Sequence, residues 1–323
     1  MTAVAAVIAC LAVAPAQPLR LSEGGLVLGV GRQQSQAEDF LHVQDVAAGG
    51  DFVSVPCRFH GREFSGEALS LSVSGRVTQS TADIGSVWRR ESFPVSILSC
   101  TIKAEPPQDR AVVVRVSLPL NAIGWQWWDD ISQSRVIEDG KQYEWVCQWP
   151  SGQRISWYPL CVLTGPDGGL CAAVPLHKPR VFRFLYDGAL RRLNIFFDIG
   201  LSPEARKLPC RADFDVLVFH CHREWGFRDA VERYYAIFPE YALRRAGEGG
   251  IWLLGFNPGP MSCPWDFGFR FDEGAQYRAG YDCAHGILPF VYTEPWGKYE
   301  HFGDRPTPDR KPRYGEQAPV KSR

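Results

Sequence analysis

Residues 224–241 read EWGFRDAVERYYAIFPEY, and they break the pattern of everything before them. Phe227, Ala230, Val231, Tyr234, Tyr235 and Phe238 recur at steps of three and four, which is one face of an α-helix. The spacing predicts a helix from about Gly226 to Phe238, stopped by Pro239, with Arg228, Asp229, Glu232 and Arg233 on its polar face. One strong helix placed after two hundred residues without another marks a change of architecture.

Upstream, the chain reads as strand after strand. In RAVVVRVSLPL, Val112, Val114, Val116 and Leu118 take one face while Val113, Arg115 and Ser117 take the other. Leu193, Ile195, Phe197 and Ile199 repeat the alternation, as do Phe214, Val216 and Val218. Turn residues punctuate the runs at Gly49-Gly50-Asp51, Asp139-Gly140, Ser151-Gly152, Pro166-Asp167-Gly168-Gly169 and Asp187-Gly188. Many strands at short spacing without intervening helices predict antiparallel sheets packed face to face, in a sandwich larger than an immunoglobulin domain.

Downstream, a Gly-rich linker ending at Gly250 leads into IWLLGFN, a short buried-strand candidate, and a second apolar run, GILPFVYTEP, begins at Gly286. Between them the reading is a long irregular loop carrying Asp266, Asp272, Glu273, Asp282 and His285. Two strand-like runs ending in polar residues, Asn257 and Thr293-Glu294, fit the opening of a (β/α)8 barrel, whose functional residues sit at the C-terminal strand ends. Six further strands would be needed to close one, so the barrel is expected to be incomplete here. Residues 300–323 are rich in Pro and charge, without apolar period, and are expected to form a disordered tail.

The 323 residues carry a net charge of −1 and no basic stripe, which argues against nucleic acid and anionic membrane as partners. Eleven Trp is a high count, and tryptophans both line sugar sites and fill large cores. The apolar, small-residue start ends in Ala14-Pro15-Ala16, which predicts an export signal over residues 1–16 and a periplasmic or extracellular protein. Removing it leaves nine cysteines, an odd number with irregular spacing and no CxxC, so neither a zinc site nor a dense disulfide framework is expected. Cys161 and Cys171 flank the turn at 165–168, where a hairpin disulfide and two buried thiols both stand open.

RVSLPLNAIGWQWWDD, YPLCVLTGPDGGLCAAVPLHKPRVFRFLYD, LNIFFDIGLSPEARKLP and the helix segment together resemble an uncharacterised bacterial family related to glycoside hydrolases, over roughly residues 100–297. The resemblance implies a galactose-mutarotase-like β-supersandwich, then a helix, then a (β/α)8 barrel, with GIWLLGFN as first and HGILPFVYTEPW as second barrel strand. Relatives of that family include α-glycosidases and endo-α-N-acetylgalactosaminidase-like enzymes, so the implied partner is an oligo- or polysaccharide. The expected organisation is an export signal (1–16), a supersandwich (17–224), a connecting helix and linker (225–246), a partial barrel (247–299) and the tail. The catalytic carboxylates of such barrels come from later strands, so no catalytic pair is assigned and the chain is expected to be catalytically incomplete, a fragment. A non-catalytic carbohydrate-binding or structural sandwich is the alternative.

Candidate sugar contacts are Glu294 and Trp296 at one strand end, Asn257 at the other, and Trp265, Asp266 and Asp272 from the intervening loop. Carboxylates accept from sugar hydroxyls while indole rings cover pyranose C–H faces. The same loop aromatics could instead anchor the loop by their own packing, and His285, at the N-terminal end of its strand, reads as structural. A second aromatic–acidic cluster, Trp125, Trp127, Trp128, Asp129 and Asp130, reads either as a substrate loop or as apolar packing at a domain interface. His220 and His222 share a strand face with Cys221 opposite, too few convergent ligands for a metal. A stand-alone mutarotase-like enzyme would need a His and carboxylate set, for which His177 and His220 are available. No phosphate-binding Gly-rich loop, GxSxG or HExxH motif occurs, and no cofactor is expected.

Overall fold

The structure is a computed structural model, and it describes residues 19–22, 25–28, 36–37, 40–86, 89–146, 158–243, 249–254, 261, 263–273 and 279–290. The expected export signal, the turn at Ser151-Gly152 and the expected tail lie outside these residues. In chain order the strands of the first unit are β1 (Leu19–Ser22), β2 (Gly25–Leu28), β3 (Gln36–Ala37), β4 (Leu41–Asp45), β5 (Val53–Ser54), β6 (Cys57–His60), β7 (Glu63–Ala68), β8 (Leu71–Gly85) and β9 (Arg90–Ala104). They continue with β10 (Arg110–Pro119), β11 (Gln126–Trp128), β12 (Ser134–Val136), β13 (Gln142–Val146), β14 (Leu160–Thr164), β15 (Gly169–Ala173), β16 (Phe182–Asp187), β17 (Arg192–Leu201) and β18 (Arg211–Cys221). Helix α1 (Phe227–Ile237) follows, then β19 (Ile251–Leu254), β20 (Phe269–Glu273), α2 (Ala279–Ala284) and β21 (Leu288–Phe290). The chain divides into two compact units, residues 1–242 and 243–323.

The first unit is mainly β, as the alternation predicts. A six-stranded antiparallel sheet runs β13-β16-β17-β10-β4-β5, and a ten-stranded one runs β12-β11-β14-β15-β18-β9-β8-β7-β6-β3; β1 and β2 form a separate hairpin. Their inner faces supply one core. Val112, Val114, Val116 and Leu118 of β10 are fully buried, alongside Leu193, Ile195 and Phe197 of β17. From the other sheet Phe214, Val216 and Val218 of β18 face them, and the Phe197 and Phe214 rings meet at 4.6 Å across the layer. Two inner faces interdigitating in this way are what a strict period of two produces when each sheet has one dry side. The longest ladder is the β8–β9 hairpin, paired from Leu71↔Ala104 to Gly85↔Arg90.

Helix α1 packs on β8 and β18. Phe227 lies against Trp145 and Tyr158 at 5.4 and 5.6 Å, and the buried Tyr234 hydroxyl donates to the Val174 carbonyl at 2.5 Å. The chain leaves the helix through a single 3-10 turn, Pro239–Tyr241, because Pro239 cannot continue the hydrogen-bond ladder. One expectation fails here. Asp229 and Arg233, read as part of a polar outer face, are buried, while Tyr235 is exposed.

The second unit holds a parallel sheet in chain order, β19-β20-β21, with α2 connecting β20 to β21. The segment expected to be an irregular loop therefore contains a strand. In FRFDE, Phe269 and Phe271 alternate with Arg270 and Asp272, a period of two that the density of charge conceals. GILPFVYTEP accordingly opens the third strand in space rather than the second. Leu253, Asp272, Asp282 and Ile287 are buried, while Trp252, Leu254, Leu288 and Phe290 remain exposed.

Candidate functional site

Parallel strands direct their carboxyl ends to one edge, and β20 is the middle strand of this sheet. Leu254, Glu273 and Phe290 are in register at that edge. Trp252 reaches across from β19, and its indole Nε1–H donates to Glu273 Oε2 at 2.8 Å. The Trp252 ring lies 5.4 Å from Phe271 and 4.5 Å from Phe290, so an aromatic platform runs beside the carboxylate. Glu273 stands among the loop carboxylates in the sequence reading but not among its sugar contacts. Recognising FRFDE as a strand would have placed it at a strand end.

The candidate residues fall out as follows. Asn257, Glu294 and Trp296 lie outside the described residues. Trp265 and Asp266 occupy a 3-10 turn, Pro264–Phe267, that leads into β20. Trp265 stacks on His285 at 5.3 Å, and His285 stacks in turn on Tyr281 at 4.0 Å and bonds the Tyr281 carbonyl through Nδ1 at 2.7 Å. That stack covers one face of the Trp265 indole and ties His285 into the local packing. Asp266 is exposed, whereas Asp272 is fully buried on β20 opposite Leu253.

In the first unit, the 125–130 cluster is absorbed by structure. Trp127 is fully buried and packs toward Tyr143; Trp128 donates to the Thr164 hydroxyl at 2.9 Å. Asp129 takes a bidentate bond from Arg135 at 2.6 and 2.7 Å, and Asp130 caps the turn at Ser132 and Gln133. His177 packs on Phe238, and a His220 ring nitrogen bonds the Gly169 carbonyl. Among the described residues no group of three or more His, Cys, Asp or Glu side chains is arranged to hold a metal ion.

Cys161 and Cys171 are free and buried. Cys161 sits opposite Ala172 and Cys171 opposite Val162, an offset of one residue that sends the two side chains to opposite faces of the sheet. Burial pushes both thiols well above their ordinary range, and lifts those of Cys57 and Cys221 to about 12.

The densest electrostatics lie where α1 meets β9. Asp229, with no exposed side-chain surface, accepts from Arg89, from Arg233 Nε at 2.7 Å and from the His222 backbone N–H at 2.7 Å. Glu91 closes the ring: it accepts from Arg89 Nε at 2.8 Å and from Arg233 Nη2 at 2.6 Å. Glu232 Oε2 adds an outer contact to Arg89 at 3.1 Å, and the Arg233 guanidinium lies 4.7 Å over the Phe93 ring. Burial acts to raise the Asp229 pKa, but bonds from Arg89, Arg233 and the His222 N–H outweigh it and hold the carboxyl below its ordinary 3.8. Glu91 likewise lies below 4.5, with burial opposing and the two arginines prevailing. Both groups are held ionised and fully engaged, the condition of a structural clamp rather than of an acid or base that exchanges protons near neutrality.

No protein-family model matches the chain, and neither does any curated protein sequence. Solved structures similar to it include an α-N-acetylgalactosaminidase from Bifidobacterium bifidum. Its ligand-free form is 11% identical with a TM-score of 0.28 over 57% of this chain, and its GalNAc complex is 10% identical with a TM-score of 0.34 over 79%. A protein from Klebsiella pneumoniae subsp. pneumoniae MGH 78578 assigned as an aldose 1-epimerase is 8% identical, with a TM-score of 0.23 over 60% of the chain. The chain spans 37%, 50% and 60% of these structures' own lengths.

Proposed function

We propose that the chain is a carbohydrate-recognising protein of glycoside-hydrolase lineage, exported from the cell, whose parallel sheet opens a (β/α)8 barrel with the sugar site at its C-terminal strand ends. The observation that carries this reading is the Trp252–Glu273 pair at the carboxyl edge of the middle strand. Ligands of parallel β/α folds collect at that edge. A sugar offers an apolar C–H face and a rim of hydroxyls, and it is met by an aromatic ring beside a carboxylate. The bond from Trp252 fixes the orientation of the Glu273 carboxylate at that edge. In this reading Asn257, Glu294 and Trp296, which follow β19 and β21 in the sequence, contribute to the same edge, whereas Trp265 and Asp266, which precede β20, belong to the opposite end of the sheet and Asp272 is buried. The family resemblance over residues 100–297 supports the reading from the sequence side.

Hydrolysis of a glycosidic bond would require a second carboxyl group, roughly 5–9.5 Å from the first. The activity proposed for this edge is recognition, with turnover as the quantity to test. The experiment is retention on a glycan array by the full chain and by Trp252→Ala and Glu273→Gln, alongside release of nitrophenol from chromogenic glycosides. Loss of about tenfold in affinity in both variants supports the site. Unchanged retention in both removes it, and turnover abolished by Glu273→Gln would make Glu273 catalytic.

A further inference from the structure

A cleft in the first unit, separate from the strand-end site, is unused by this reading. The turn joining β18 to α1 forms one wall of an open cleft of about 460 Å³ lined by Arg89, His222, Arg223, Glu224 and Trp225. That volume falls in the range of small-molecule sites, about 300–1,000 Å³. Trp225 is 61% exposed, whereas Trp127 and Trp145 of the same unit are buried. An indole left open within a cleft is a large apolar face available for burial by a ligand.

The backbone that presents Trp225 is fixed. The His222 N–H is bonded to Asp229 Oδ2 at 2.7 Å, the Gly226 N–H to the His222 carbonyl at 2.8 Å, and the Arg228 N–H to the Trp225 carbonyl at 3.0 Å. Arg223 Nη1 donates to the Pro166 carbonyl, tying the turn to the β14–β15 hairpin. Gly226 takes a positive φ of 45° with the Trp128 ring against it, so the turn is held from beneath as well. A rigid presentation removes ordering cost from binding.

Charge then decides the ligand class. Of the charged residues lining the cleft, Arg89 is already bonded to Glu91, Asp229 and Glu232, which leaves Arg223 and Glu224 opposing one another. With Arg89 engaged by its own carboxylates, one guanidinium and one carboxylate remain, so neither an anion nor a cation is favoured here. What remains is an aromatic face rimmed by mixed donors and acceptors.

We propose that this cleft is a second binding site, for a neutral pyranose sugar, with its C–H face on Trp225 and its hydroxyls on Arg223, Glu224 and His222. The test uses the full chain on an array of neutral glycans, with uronate- and sialate-terminated glycans as a second arm, and compares Trp225→Ala, Trp225→Phe and Trp252→Ala. The expected result is retention of neutral glycans, weakened at least about tenfold by Trp225→Ala and largely restored by Trp225→Phe. Binding that Trp225→Ala leaves unchanged overturns the proposal, as does preference for the acidic arm or absence of any retention. Loss in Trp252→Ala alone overturns this site and keeps the strand-end site; loss in Trp225→Ala alone does the reverse.

Discussion

Replacing Asp229 with Ala removes the centre of the clamp between α1 and the ten-stranded sheet. Taking one partner out of a buried ion pair costs about 3–5 kcal/mol, because the remaining charge stays desolvated. Two features place Asp229→Ala at the lower end of that range. Arg233 keeps its bond to Glu91 at 2.6 Å, and the Arg89 side chain, 23% exposed, can turn toward water. The expected loss is about 3 kcal/mol. At about 2–4 °C per kcal/mol for a unit of this size, the melting temperature at pH 7 falls by about 6–12 °C. Thermal unfolding followed by far-ultraviolet circular dichroism reads this directly. The control is Glu232→Ala, whose side chain is 42% exposed and whose loss moves stability by less than about 1 kcal/mol.

The same clamp sets an acid limb. Asp229 and Glu91 have folded-state pKa values below their ordinary 3.8 and 4.5, so their contribution is complete above those values. It is lost as pH falls through the lower folded-state values. Wild-type stability should therefore decline below about pH 4, and Asp229→Ala should show a shallower decline in that window. A melting temperature within about 2 °C of wild type at pH 7 would refute the clamp. So would an unchanged slope below pH 4.

Three further outcomes are expected. Gly226→Ala places a Cβ 2.2 Å from Trp128 Cζ2 at a φ of 45°, and should lower stability by about 2 kcal/mol in denaturant titration. Phe214→Ala opens a hole opposite Phe197 at the middle of the core and should cost about 3–5 kcal/mol by the same measurement. Under native alkylation read by peptide mass spectrometry, Cys283 and then Cys263 should react first among the cysteines of the described residues. Cys57, Cys100, Cys161, Cys171, Cys210 and Cys221 should label only on unfolding, and a Cys161–Cys171 disulfide would contradict the strand register.

The sandwich was legible because a half-buried strand writes its face into the sequence. Val112, Val114, Val116 and Leu118 name the inner side of β10 without reference to any neighbour, and the structure buries all four. Sheet order was not legible. That β10 lies between β17 and β4, or β9 between β18 and β8, depends on pairings across tens of residues that no local pattern carries. Strand β20 was lost for a different reason. Five residues of FRFDE include three charges, and their period of two is visible only when Asp272 is allowed to be buried. The same omission left Glu273 among the loop carboxylates and out of the expected sugar contacts, since only its place at a strand end sets it apart.

Helix α1 shows where local reading stops. Its spacing assigned Phe227, Ala230 and Tyr234 to the buried side correctly. It also assigned Asp229 and Arg233, an i,i+4 pair of opposite charge, to water, since such pairs ordinarily decorate a solvated face. The structure turns the helix so that this pair is inside and Tyr235 outside, because Arg89 and Glu91, some 140 residues away in the chain, complete its charges. Charge alone therefore does not mark an outer face; charge without a distant complement does. The exposed Trp225 follows from the same arrangement. Asp229 holds the His222 N–H, which fixes the turn, and the turn leaves the indole facing the cleft. A clamp that positions the helix thus also presents the surface on which the proposed second sugar site depends. Asp229→Ala should for that reason weaken neutral-glycan binding even in the fraction of protein that remains folded, whereas Glu232→Ala should not.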